Sequence, residues 1–131
     1  MKVDGILFDL DGTLWDTTAP CAQAWNNAVK KLKVAVPHIT PKKFESIMGK
    51  TFEDCVATLY PDLPPSQRET VGSECLKEEI ETIRRAGASF YAGVREGIPR
   101  LAEKYRLFIV SNCMVDYIEL FFEIVKNEVI Q

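Results

Sequence analysis

Histidine is almost missing from this sequence. One residue, His38, in a chain of 131 excludes any mechanism that needs a pair of histidines, and its loop position reads as surface. Positive charge is not in excess either. The net charge of −3 gives no electrostatic case for nucleic acid or for an anionic membrane surface. No apolar run is long enough to span a bilayer, and the N-terminus lacks the pattern of a cleavable signal peptide. Cys21, Cys55, Cys75 and Cys113 are widely spaced with no C-x-x-C pair, so neither a zinc knuckle nor a redox motif is visible. They read as reduced thiols of a cytoplasmic protein, serving as small hydrophobes. Repeats and low-complexity linkers are absent too. What remains is ordinary globular composition, 47% hydrophobic and 27% charged, at the length of a single domain.

The chain opens on an apolar run that ends in acid, "VDGILFDLDGTLWD". Residues 3–9 read as a short, largely buried strand. From about 17 to 88 the pattern is helical. Thr17 or Thr18 can cap a first helix carrying Pro20 in its first turn, with Cys21, Trp25, Ala28, Val29 and Leu32 as its apolar stripe. Thr40, Pro41 and Gly49 bracket a short second helix. Thr51 and Asp54 resemble a capping box for a third. A longer helix follows to about Arg85, with Val71, Leu76, Ile80 and Ile83 inward and Gly87 as its stop. A further helix runs toward Lys104, with Pro99 either near its start or kinking it. "RLFIVSNC" repeats the opening design: a buried strand, Leu107 to Val110, ends in small polar residues. "MVDYIELFFEIVKNEV" is a last amphipathic helix, with Phe121 and Phe122 on its apolar face. This order is α/β, most simply a parallel sheet with a helical insertion after the first strand.

Ligands gather at the carboxyl ends of strands in such sheets, where both "DLDGT" and "SN" fall. Two adjacent carboxylates repel, so a cation or reacting group is expected between them. Phosphoryl transfer suits these residues. Asp9, directly ending the strand, can attack phosphorus and form an acyl phosphate. An anion attacking an anion calls for a hard, oxygen-bound cation such as Mg²⁺. Asp11, two residues on, reaches the same centre and can protonate the leaving oxygen, then activate water. Gly12 permits a tight turn that offers amides to phosphate oxygens. Thr13 and Ser111 can add hydroxyl donors. Asp16 reads as a turn or cap acid.

"ILFDLDGTLWD" resembles the first motif of the haloacid dehalogenase-like hydrolases, and "LFIVSN" resembles their second. The resemblance is strongest to the phosphoglycolate phosphatase and β-phosphoglucomutase branch. It implies a partial Rossmann-like parallel-sheet core at 1–16 and 89–131 with an inserted α-helical cap at 17–88. It implies Asp9 as nucleophile, Asp11 as general acid/base, and Mg²⁺ held by the Asp9 side chain and the Asp11 backbone carbonyl. Ser111 would bind the phosphoryl group with Asn112 beside it. Gly49, Lys50 and Thr51 match the cap's specificity loop by position.

The expected activity is a Mg²⁺-dependent phosphatase of small phosphorylated metabolites. A sugar-phosphate mutase of the same family and an inactive phosphate-binding fragment remain as alternatives. The family's third-motif lysine and closing acidic pair have no counterpart after Ser111: Lys126 falls too early, and Asp116 and Glu119 lie within a helix. The sequence therefore reads as the first part of such a hydrolase. Its uncovered core surface is expected to favour self-association.

Overall fold

The computed structural model describes residues 1–128, with side chains through Lys126. The two apolar runs form β1 (Gly5–Phe8) and β4 (Arg106–Ile109). They pair in parallel, with Gly5 opposite Arg106 and Phe8 opposite Ile109. β1 is shorter than its apolar run, and β4 is set one residue earlier than Leu107 to Val110, although the Val110 N–H still donates to the Phe8 carbonyl at 2.9 Å. Neither strand is buried as expected. Both alternate exposed and half-buried residues, and Leu7 is 70% exposed. A parallel strand is buried only when helices cover both faces. Among the described residues this sheet has two strands and one open face.

Four helices follow β1: α1 (Thr18–Lys31), α2 (Pro41–Glu45), α3 (Phe52–Leu59) and α4 (Pro65–Ala86). Asp16, not Thr17, caps α1. Its Oδ1 accepts both the backbone N–H of Thr18 at 2.9 Å and the Thr18 hydroxyl at 2.7 Å. Thr40 Oγ1 accepts the Lys43 N–H at 3.1 Å, and Thr51 Oγ1 accepts that of Asp54 at 3.2 Å, as the capping signals predict. Helix α2 ends at Glu45, short of Gly49, and turns fill the interval.

Helix α4 buries a ladder at fourfold spacing, Val71, Cys75, Glu79 and Ile83, whereas Leu76 and Ile80 are only half-buried. It packs along α1, whose Lys31 reaches Glu74 at 2.6 Å and Glu78 at 3.5 Å. These pairs are solvent-facing and contribute little. The apolar load sits instead on Trp25, packed edge-on against Phe44 and Phe52 with centroids at 5.6 and 5.7 Å. Truncating such a buried tryptophan to alanine costs roughly 3–5 kcal/mol.

A second aromatic group joins the two ends of the chain. Trp15 stacks edge-to-face on Tyr117 and Phe121 at 5.4 and 5.1 Å. Trp15 belongs to β2 (Trp15–Asp16), which pairs antiparallel with β3 (Ser89–Phe90). This two-residue ribbon ties the exit into the helices to the return from them. Helix α5 (Val94–Ala102) carries Pro99 in its interior. Helix α6 (Val115–Glu128) buries Tyr117, Leu120, Phe121, Ile124 and Val125 and leaves Phe122 exposed; the expected extension to Val129 lies outside the described residues.

Candidate active site

Because β1 and β4 run side by side in one direction, their carboxyl ends share an edge. The chain leaves β1 through Asp9 and Asp11 and leaves β4 through Ser111 and Asn112. These four residues line a single cavity of about 230 Å³, together with Lys50 from the loop between α2 and α3. Asn112 Nδ2 donates to the Gly49 carbonyl at 2.9 Å, which fastens the strand end to that loop. Gly49 has φ +87, a left-handed conformation that glycine adopts without strain.

Gly12 and Thr13 lie beside the cavity and do not line it. The Gly12 N–H is taken by the Trp15 carbonyl at 3.1 Å, so the turn, with φ +76 at Gly12, consumes the amide expected to face phosphate. The Thr13 hydroxyl donates to Asp9 Oδ2 over 3.4 Å. That contact is long, and Asp9 is otherwise exposed, so its carboxylate can accept a cation or approach a reacting atom. Ser111 Oγ accepts the Cys113 N–H at 3.2 Å, closing the turn into α6 while keeping its own proton to donate.

Asp11 is held differently. Its Oδ1 accepts from Trp15 Nε1 at 3.0 Å and from the Tyr117 hydroxyl at 3.0 Å. The Tyr117 oxygen also lies 2.6 Å from Thr17 Oγ1, which explains why Thr17 is not a helix cap. Burial raises the Asp11 carboxyl above its ordinary value, the two hydrogen bonds pull it back, and the charge of Asp9 adds to the rise. The two acids thus differ in kind: one is open, and the other is sheltered, with its carboxyl raised above the ordinary value.

On the helical side the cavity meets Trp25, Phe44, Phe52 and Glu79. Trp25 Nε1 donates to Glu79 Oε1. Burial drives the Glu79 carboxyl up to about 8, with the Trp25 hydrogen bond opposing and the Asp11 charge adding. Neither Glu79 nor Tyr117 stands out as a site residue by motif. The available signal is an acid at the centre of the Val71–Cys75–Glu79–Ile83 ladder, where an apolar residue belongs. Among the described residues no group of three or more His, Cys, Asp or Glu side chains is placed to hold a metal, and no helix is long and apolar enough to cross a membrane.

Comparison with known proteins agrees with this arrangement. The model of the haloacid dehalogenase-like hydrolases matches residues 6–130. A phosphoglycolate phosphatase of Nitrosospira multiformis is 33% identical over 118 residues, which cover 86% of this chain and 51% of the relative. The chain therefore spans about half the length of that curated relative. A solved haloacid dehalogenase-like hydrolase from Bacteroides fragilis superposes with a TM-score of 0.77 at 20% identity, over 97% of this chain and 58% of that one. A Haemophilus somnus structure described as a predicted phosphoglycolate phosphatase gives 0.72 at 21% identity, over 88% and 54%. At these identities the structures speak for the fold, an α/β core with a small parallel sheet. With residues 6–130 matched by the family model, this chain belongs to the haloacid dehalogenase-like hydrolase family.

Proposed function

We propose that the chain serves phosphate monoester hydrolysis on small phosphorylated metabolites, through an aspartyl phosphate formed on Asp9. The observation that carries this reading is the convergence of Asp9, Asp11, Ser111 and Asn112 on one cavity at the carboxyl ends of paired parallel strands. Asp9 attacks phosphorus, and the bond from phosphorus to the leaving oxygen breaks as Asp11 delivers its proton there. Asp11 then takes a proton from the water that attacks the acyl phosphate, which releases inorganic phosphate and restores Asp9. Its burial and its raised carboxyl suit the first of these steps. Ser111 and Asn112 orient the phosphoryl oxygens, and Lys50, exposed at the cavity, meets the charge of the incoming substrate.

The oxygens of the Asp9 carboxylate and the Asp11 backbone carbonyl form a hard donor set that fits Mg²⁺. When bound, Mg²⁺ would neutralise charge between the carboxylate and the phosphoryl oxygens. With two protein donors, the ion would be held weakly by this chain alone.

We further assign 1–16 and 89–131 to the catalytic core and 17–88 to a cap; the β2–β3 ribbon at both junctions supports that division. The name of the Nitrosospira relative makes 2-phosphoglycolate one substrate to test. The deciding assay follows phosphate release from a panel of phosphate esters with Mg²⁺, using Asp9→Asn as the blank. Mg²⁺-dependent release above that blank is expected, however slow. Isomerised product without release would indicate a mutase, and equal signals with and without Asp9 would refute the reading.

A further inference from the structure

Glu79 takes no part in the chemistry above, and its surroundings ask for an explanation. It is 5% exposed and lines the same cavity as Asp9 and Asp11. Trp25 Nε1 donates to one of its oxygens, and the Cys21 thiol also reaches it. The ion pairs among the described residues join Lys31 to Glu74 and Glu78, and Arg84 to Glu123; none involves Glu79. A buried carboxyl without a cation is costly, and proteins ordinarily supply a partner side chain. Here the carboxyl borders open space, so the partner can arrive with a ligand. Phe44, Phe52 and Leu76 line the cavity around it and suit a short carbon skeleton. A volume of about 230 Å³ lies below the usual range for drug-sized ligands, which restricts the occupant to a compact molecule.

We propose that Glu79 is a specificity-determining residue that reads the end of the substrate opposite its phosphate, favouring an ammonium or hydroxyl group there and rejecting a carboxylate. An ammonium favours the ionised form of Glu79 and supplies its countercharge. A hydroxyl donates to the carboxylate, or accepts from it when Glu79 is protonated. Once Glu79 is ionised, above about pH 8, a second carboxylate brings two like charges together in a poorly solvated site and is disfavoured. This selection rests on the cavity being the phosphate ester site. With phosphate held at Asp9, Asp11 and Ser111, Glu79 on α4 is the acid facing the substrate's remaining atoms.

The test is calorimetric titration of the full chain at about pH 9, where Glu79 is ionised, in the presence of Mg²⁺, with four probes: inorganic phosphate, O-phosphoethanolamine, glycerol 3-phosphate and 2-phosphoglycolate. The ammonium and hydroxyl esters should bind the wild type about tenfold or more tighter than 2-phosphoglycolate. Glu79→Gln keeps the size and the acceptor for Trp25 but cannot ionise. It should bring the three esters to within about threefold of one another and leave inorganic phosphate unchanged. A wild type that prefers 2-phosphoglycolate, or a Glu79→Gln variant that keeps the wild-type ranking, overturns the proposal. The wild-type ranking decides the matter even where the variant does not fold. Failure of all four probes, inorganic phosphate included, to bind a folded wild type overturns the phosphate-site reading itself, and the proposal with it.

Discussion

Replacing Glu79 by glutamine should change how the stability of the protein depends on pH. The unfolded carboxyl titrates near 4.5, and in the folded protein burial lifts it to about 8. Between those values the folded state holds a proton that the unfolded state has released. Stability is therefore full below pH 4.5 and falls as pH rises toward 8, by about 1.4 kcal/mol per unit. The whole window is worth about 5 kcal/mol at most, a large share of a small domain's stability. Asp11 shifts in the same direction, and the thiols of Cys21, Cys55 and Cys75 are pushed above this window. The difference between wild type and Glu79→Gln thus isolates one group. Urea unfolding at pH 5, 6.5 and 8 should show the variant gaining on the wild type as pH rises, with midpoints separated by on the order of 1–2 M at pH 8. Parallel pH profiles for the two proteins, or a wild type that gains stability from pH 5 to 8, would refute the assignment of Glu79 as a buried, cation-free acid.

Tyr117→Phe removes a donor to Asp11 and the partner of Thr17. It should cost about 1–3 kcal/mol and raise the Asp11 carboxyl further, as read by carboxyl ¹³C NMR titration. Gly49→Ala meets no atom within 4 Å but must hold φ +87, so a loss of about 1–2 kcal/mol in denaturant melts is expected. Asn112→Ala, which frees the same loop from its 2.9 Å bond, should instead speed amide exchange around Lys50 with a smaller change in global stability. Mg²⁺ should bind the chain weakly, on the order of 10⁻³ M, and Asp9→Asn should abolish the calorimetric signal. Micromolar binding that survives Asp9→Asn would mean the cation sits elsewhere.

The strand ends were legible because their signal is local. Two apolar runs stopped by "DLDGT" and "SN" define a parallel pair and its ligand-bearing edge, and β1 and β4 pair in that sense. Helix caps at Thr40 and Thr51 were legible for the same reason. The β2–β3 ribbon was not, since two residues per strand leave no periodicity to read. The contacts that shelter Asp11 were hidden by distance along the chain, because Tyr117 approaches it only after the whole helical segment has folded back. Thr17 illustrates the competition: its hydroxyl could cap α1, but Asp16 takes that task and Thr17 turns to Tyr117. The exposure of Leu7 and Phe108 also escaped the pattern, because an apolar run records what a strand could bury and not what covers it. Glu79 was hidden by the opposite error, since a glutamate in a helix reads as solvent-facing until its ladder partners are seen to be Cys75 and Ile83.

The central claim is that Asp9 carries the phosphoryl group, and acid-quenched mass spectrometry tests it directly. The chain is mixed with acetyl phosphate and Mg²⁺, quenched, reduced with borohydride to mark the acyl phosphate, and mapped by peptide. The account predicts a mark at Asp9, stronger in Asp11→Asn because its deacylation is slowed, and absent in Asp9→Asn. A mark on any other residue, one that persists in Asp9→Asn, or none even in Asp11→Asn would contradict it.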